Sequence, residues 1–182
     1  MATDIIGVIS QFYEKGTDLW HILIEHSEAV ADLAVRIVDA HPELGADRQF
    51  VYEGAMLHDI GIIKTDAAGI HCHGDKPYIC HGTLGAEMLR SLGLDRHALV
   101  CERHTGAGLS REDIVNQNLP IPHKDLLPVS IEEQIICYAD KFFSKSRELR
   151  KPKEFDHVLR SVSKYGEESE KRFLAMHEKF CI

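Results

Sequence analysis

Between residues 18 and 40 apolar side chains return every three or four positions, at Leu19, Leu23, Val30, Leu33 and Ile37, and His26 falls in the same stripe. That period is one face of a helix. His41-Pro42 ends it, because the residue before a proline is pushed out of the helical region. A second helix is predicted from Asp47, as N-cap, through Val51, Ala55 and His58, with Gly61 as a left-handed residue that closes it. Residues 64–80 are polar and contain Gly and Pro, and read as a loop. A third helix covers about 81–92, with His81, Leu84, Met88 and Leu92 on one side. A fourth, about 95–104, puts His97, Cys101 and His104 on one face.

From 105 to 129 two glycines and three prolines surround one short helical patch, 110–116, and this segment is expected to be a lid or a wall facing a substrate. A long helix is predicted from Ser130, with Glu133 completing a Ser-x-x-Glu capping box, to about Glu148. Amphipathic segments at about 154–164 and 167–180 close the chain. Repeats, low-complexity tracts and linkers are not apparent. The expectation is one all-α domain over 1–182, with a core at about 18–148 and C-terminal helices at about 154–180.

The chain has 182 residues, 44% hydrophobic and 27% charged, an ordinary globular composition with room for a real core. Its net charge of −8 weighs against stable binding to a nucleic-acid backbone, which needs an excess of cations. No apolar run approaches the roughly 20 residues that span a bilayer. Residues 1–16 carry acids and no basic stretch, so they do not read as a signal peptide. Five cysteines, an odd number without a CxxC, point to a reducing, cytoplasmic setting. The unusual count is histidine, at twelve.

His58-Asp59, followed by Ile60-Gly61, is where that count becomes chemistry. Neighbours within a helix point about 100° apart, but at a helix end both side chains can converge on one ion. Further ligands must come from other elements and face inward. His26 lies in the apolar stripe, His81 opens the third helix, His104 closes the fourth, and Asp140 is spaced helically between Ile136 and Phe143. A carboxylate buried among such residues is costly unless paired or bound to a cation. For each histidine alone, a hydrogen-bonded core residue is the plainer reading; the set together favours a metal site.

With these residues on the page, the chain resembles the HD-domain metal-dependent phosphohydrolase superfamily. The resemblance rests on His26, the run HDIG at 58–61, His81, His104 and Asp140. The fragments HSEAVADLA, MLHDIG, HGTLGAEML, ERHTGAG and YADKF also carry it, and it covers about 20–148. It looks closest to the small stand-alone HDIG proteins of bacteria and archaea. It implies an HD-domain-like orthogonal helical bundle. By the same resemblance His26, His58, Asp59 and Asp140 would bind one metal, and His81 and His104 a second, with Asp59 bridging. Fe or Mn suits the mixed ligand set, and so do Zn, Co, Ni or Mg. Two ions about 3.5–4 Å apart would hold a bridging water and present hydroxide to phosphorus. The expected reaction is hydrolysis of a phosphomonoester or phosphodiester of a nucleotide-like or other small substrate.

Asp59 and Lys64 are the catalytic candidates, and Lys64, Lys141 and Arg147 the candidates for holding phosphate. Arg147 is placed two turns beyond Asp140 on the same helix face, about 10 Å along the axis. Lys141, Lys145, Arg150, Lys151 and Lys153 make that stretch locally basic, although a solvated helix face is the plainer reading of each. Two departures from the family pattern matter. Ile62 and Ile63 intervene before Lys64, and no Gly-Tyr-Pro follows His104, so cleavage of cyclic dinucleotides is not carried over. Two other readings use the same ligands: a mixed-valent di-iron oxygenase, and a metal-stabilised domain that senses a nucleotide without turnover. His71-Cys72-His73 with Cys80-His81 is a competing zinc constellation. Cys101 and Cys137 read as core residues, with a cysteine nucleophile beside His104 as the alternative.

Overall fold

The computed structural model describes residues 3–146 and 148–182. Among them the chain forms nine α-helices and one two-stranded ladder of two residues each. The helices are α1 (Ile5–Ser10), α2 (Asp18–Ala40), α3 (Arg48–Leu57), α4 (His81–Ser91), α5 (Asp95–Arg103), α6 (Arg111–Asn116), α7 (Ile131–Asp140), α8 (Phe155–Ser163) and α9 (Glu167–Phe180). None is long and apolar enough to cross a membrane. The all-α expectation holds.

α2 starts where Thr17 Oγ1 accepts from Trp20 N at 3.2 Å, and it buries His26 in line with Leu23, Val30 and Ile37. α3 is capped by Asp47, whose Oδ1 accepts from Phe50 N at 3.1 Å. α2 and α3 pack on each other and both pack on α7. α4 and α5 form a pair, and α4 lies against the 3₁₀ turn Ile60–Lys64. α8 and α9 pack together, with α9 against α7. The three inner helices α2, α3 and α7 thus bring their buried polar residues to one point.

Several expectations need correction. α1 was not legible as a helix, yet Ile5, Val8 and Ile9 bury one of its faces. The 64–80 stretch is not plain loop: it holds 3₁₀ turns and pairs Asp66 with His73 and Ala67 with Cys72. The 105–129 segment has its own small core of Leu109, Ile114, Ile121 and Leu126 with Cys80. Arg172 of α9 fastens it, donating to Ala107 O and Gly108 O and pairing with Asp113 at 2.7 Å.

Helix α7 ends at Asp140 rather than near Glu148. The cause is downstream: Lys153 Nζ donates to Lys141 O at 3.3 Å and Phe143 O at 2.8 Å, and Lys153 N donates to Phe142 O at 2.7 Å. Carbonyls that a continuing helix would have used are satisfied by the side chain and backbone N–H of Lys153 instead. No helix face therefore carries Asp140 on toward position 147, and Arg147 itself lies outside the described residues. At the other end, Ser130 Oγ accepts from Glu133 N at 3.2 Å, but Glu133 turns its carboxylate to Val129 N and Arg103. Only half of the expected capping box forms.

Candidate metal centre

The His-Asp pair sits where α3 stops. His58 keeps helical torsion angles as the C-cap, while Asp59 falls to φ −103°, ψ 9°, and the chain tightens into the 3₁₀ turn. That change brings two adjacent side chains together, His58 Nε2 lying 3.1 Å from Asp59 Oδ2. Tyr13, 3% exposed, pins the turn: its hydroxyl donates to Ile60 O at 2.7 Å and accepts from Ile63 N at 3.2 Å. Gly61 is not left-handed, contrary to expectation. A Cβ there would run into His81 O and the backbone of Gly85. Glycine is needed because α4 approaches the turn at backbone contact, and this is what delivers His81 to the site.

All six sequence candidates for metal binding converge, each buried. His26 Nε2 is 3.2 Å from Asp59 Oδ2 and 3.1 Å from Asp140 Oδ1, and His58 Nε2 is 3.3 Å from Asp140 Oδ1. On the other side of the same carboxylate, Asp59 Oδ1 is 3.4 Å from both His81 Nε2 and His104 Nε2. Two donor groups result, His26-His58-Asp59-Asp140 and Asp59-His81-His104, with Asp59 common to both.

Hydrogen bonding decides what these nitrogens can do. His58 Nδ1 donates to Ala55 O at 2.6 Å, His81 Nδ1 to Tyr78 O at 2.7 Å and His104 Nδ1 to Cys101 O at 2.7 Å. A neutral imidazole has one N–H, so Nε2 of His81 and of His104 faces the centre as a lone pair, and so does Nε2 of His58 when its ring is neutral. They meet carboxylate oxygens and, at 3.0 Å, one another. Such acceptor–acceptor contacts in a buried site call for a shared proton or a cation. His58 Nε2 and both oxygens of Asp59 are buried without a well-directed hydrogen bond. The donor set therefore fits divalent metal binding.

Titration follows the same geometry. Burial opposes ionisation of Asp59 and Asp140, yet His58 and Lys145 beside Asp59, and Lys141 and Lys145 beside Asp140, hold both well below the usual carboxylate range. Burial pulls His81 down to about 3 and lowers His104, keeping both neutral. For His58 burial pulls the same way, but Asp59 and Asp140 outweigh it and carry the ring up to about 9.

Two lysines reach the carboxylates. Lys141 Nζ is 2.7 Å from Asp140 Oδ2 and donates to His104 O at 3.1 Å; Lys145 Nζ is 2.6 Å from Asp59 Oδ2. Lys145 is named in the sequence only as one of a basic run whose plainer reading is a solvated helix face, because its place depends on α7 ending early. Lys64 closes the 3₁₀ turn with an exposed side chain, and no ion pair to it occurs among the described residues. A cavity of about 140 Å³ opens beside Asp140. Gly106 is the part of the 105–129 segment that lines it, and the 64–80 segment contributes nothing to its lining.

The competing cysteine chemistry finds no support in the geometry. His71 and His73 are exposed, and His71-Cys72-His73 enters neither donor group among the described residues. Cys101 Sγ donates to Leu57 O at 3.2 Å, and burial pushes its thiol well above its ordinary value; Cys137 is pushed up to about 11. His97, on the same helix as His104, turns away to Glu53 at 3.0 Å.

The HD domain family model matches residues 23–144. An uncharacterized protein of Methanocaldococcus jannaschii is 37% identical over 145 residues, 78% of this chain and 76% of that protein. Two tRNA (cytidine(56)-2'-O)-methyltransferases also match. That of Picrophilus torridus is 39% identical over 69% of this chain, and that of Thermoplasma volcanium 32% identical over 94%. The chain spans only 33% and 45% of their lengths. No solved structure matches. The matched stretch contains His26, the His58-Asp59 pair, His81, His104 and Asp140, and the chain belongs to the HD domain family, the metal-dependent phosphohydrolase superfamily.

Proposed function

We propose that this chain hydrolyses a phosphate ester of a small molecule with two divalent transition-metal ions, Fe or Mn suiting the ligands best. The observation that supports this most is the sharing of Asp59 by two donor groups. His26, His58, Asp59 and Asp140 would hold one ion, and Asp59, His81 and His104 the other. When bound, the metal supplies a water acidic enough to ionise near neutral pH and a positive centre for phosphoryl oxygens.

The protein's own part is preorganisation. Backbone carbonyls of Ala55, Tyr78 and Cys101 fix three imidazoles with Nε2 toward the centre. Lys141 and Lys145 keep Asp59 and Asp140 anionic in a buried setting and lie close enough to meet a phosphoryl group. They take precedence over Lys64 as phosphate contacts. Five unpaired cysteines suit a reducing compartment, and we place the protein in the cytoplasm.

Similarity to the two methyltransferases favours a second reading, in which this fold acts beside a tRNA. The net charge of −8 argues against the chain itself gripping an RNA backbone. The test is turnover of a panel of phosphomonoesters and phosphodiesters by protein loaded anaerobically with Mn²⁺, Fe²⁺ or Co²⁺. Hydrolysis that falls at least about a hundredfold in His58→Ala and Asp59→Ala is expected. Tight nucleotide binding without product would move the assignment to a sensing domain.

A further inference from the structure

Beside Asp140 the cavity of about 140 Å³ is walled on one side by Lys141, Lys145 and Lys153 and on the other by α8 and Tyr165, two residues past its end. That second wall lies outside residues 23–144, where the family model matches. We propose that this cavity seats the phosphate of a phosphomonoester and that α8 with Tyr165 limits the substrate to compact molecules of polyol or sugar size. The inference rests on the phosphohydrolase reading and narrows its substrate.

Charge and donor counting specify the ligand. Three ammonium groups, those of Lys141, Lys145 and Lys153, line the cavity against one lining carboxylate, that of Asp140, in a chain of net −8. The crowding is felt by Lys153: burial, together with Lys141 and Lys145, lowers its titration against the pull of Asp140. An ammonium has three donors. Lys141 spends two on Asp140 and His104 O, and Lys153 spends two on Lys141 O and Phe143 O. Each keeps one for an oxygen in the cavity. A monoester dianion offers three terminal oxygens and two charges to these cations. A diester offers two oxygens, one charge and a second substituent that needs its own exit.

Size points the same way. The cavity equals about five waters at roughly 30 Å³ each. It is less than half of the roughly 300 Å³ at which sites for drug-sized ligands begin. Val158 and Val162, 1% and 2% exposed, give it an apolar wall. Tyr165 is anchored by its carbonyl, which accepts from Gln117 Nε2 at 3.2 Å, and a Cβ added at Gly106 would meet its ring at an ordinary van der Waals distance of 3.7 Å.

The test uses inorganic phosphate as a binding probe and two esters as substrates, all on the full, Mn²⁺-loaded chain. Lys153→Gln keeps a donor for the two carbonyls but loses the charge. It is expected to weaken phosphate binding in calorimetry by about tenfold, with Lys153→Arg restoring it and the melting temperature reporting folding. Wild type should prefer glycerol phosphate to bis-p-nitrophenyl phosphate by at least about a hundredfold in kcat/KM. Tyr165→Ala should narrow that ratio about tenfold, by raising diester cleavage rather than by raising monoester KM. Phosphate affinity unchanged in Lys153→Gln, or equal cleavage of both esters by wild type, overturns the proposal and leaves the hydrolase reading standing. Phosphate bound through Lys153 with neither ester cleaved supports the phosphate seat and overturns the hydrolase reading instead.

Discussion

His81 and His104 bring their Nε2 atoms to 3.0 Å from each other although each has already given its Nδ1–H to a backbone carbonyl. Two lone pairs at that distance repel, and neither ring is charged, because burial holds both below the ordinary histidine range. His81 comes from the start of α4 and His104 from the end of α5, two helices that pack on each other. A cation shared with Asp59 Oδ1, 3.4 Å from each, turns the repulsion into ligation.

Replacing both, as His81→Ala with His104→Ala, should therefore remove one ion and leave the other on His26, His58, Asp59 and Asp140. Elemental analysis of the purified double variant is expected to show a loss of about one metal equivalent per chain. Loss of both ions, or of neither, contradicts the division of ligands between two sites.

The metal-free protein should be most stable near pH 6.5. His81 titrates at about 3 in the folded chain against an ordinary 6.5, so the unfolded chain takes up that proton first and stability falls as pH drops below about 6.5. His58 works in the opposite direction. Its folded value of about 9 means that its contribution is full below 6.5 and is lost as pH rises toward 9. A bound metal takes the Nε2 of His58 and should abolish the alkaline fall. Thermal melts from pH 5 to 9, with chelator and with Mn²⁺, check both limbs; a metal-free profile that keeps rising to pH 9 would be inconsistent with this charge arrangement.

Tyr13→Phe should cost about 1–3 kcal/mol, since it strands Ile60 O and Ile63 N in a buried turn. Because that turn carries Asp59, metal affinity should drop together with stability. Urea unfolding and metal titration of the same variant decide it; a stability loss with unchanged metal affinity would show that the turn holds its shape without the hydroxyl.

Thiol accessibility gives an inexpensive check on the packing. Cys72, Cys80, Cys101 and Cys137 are buried and Cys181 is exposed. A thiol reagent should label one cysteine in the native chain and five after denaturation. Rapid labelling of Cys101 or Cys137 in the native protein would mean that the region around His104 opens readily.

What could be read from the sequence was what is written locally. α2 was legible to its ends because its stripe lies within the helix's own residues and its Pro42 stop only two positions past Ala40. The six inward His and Asp candidates were legible because charged or ligating residues on apolar faces are conspicuous against burial costs. What escaped depends on partners far along the chain. Tyr13 acts on residues 47 and 50 positions away, from beyond a helix of six residues that is too short for periodicity to show. Lys145 reaches Asp59 because Lys153 takes over carbonyls at the end of α7, a contact spanning up to twelve residues. Gly61 was noticed for the wrong reason: a helix-closing glycine and a glycine required by the approach of α4 look alike until the second helix is in place.

Metal content per chain, on protein purified without chelator and without a nickel column, bears most directly on the paired centre around Asp59. About two equivalents of divalent metal, Fe or Mn foremost, are expected. A chain that holds none, even after anaerobic reloading, would mean that the six converging residues form a hydrogen-bonded core cluster and not a metal centre.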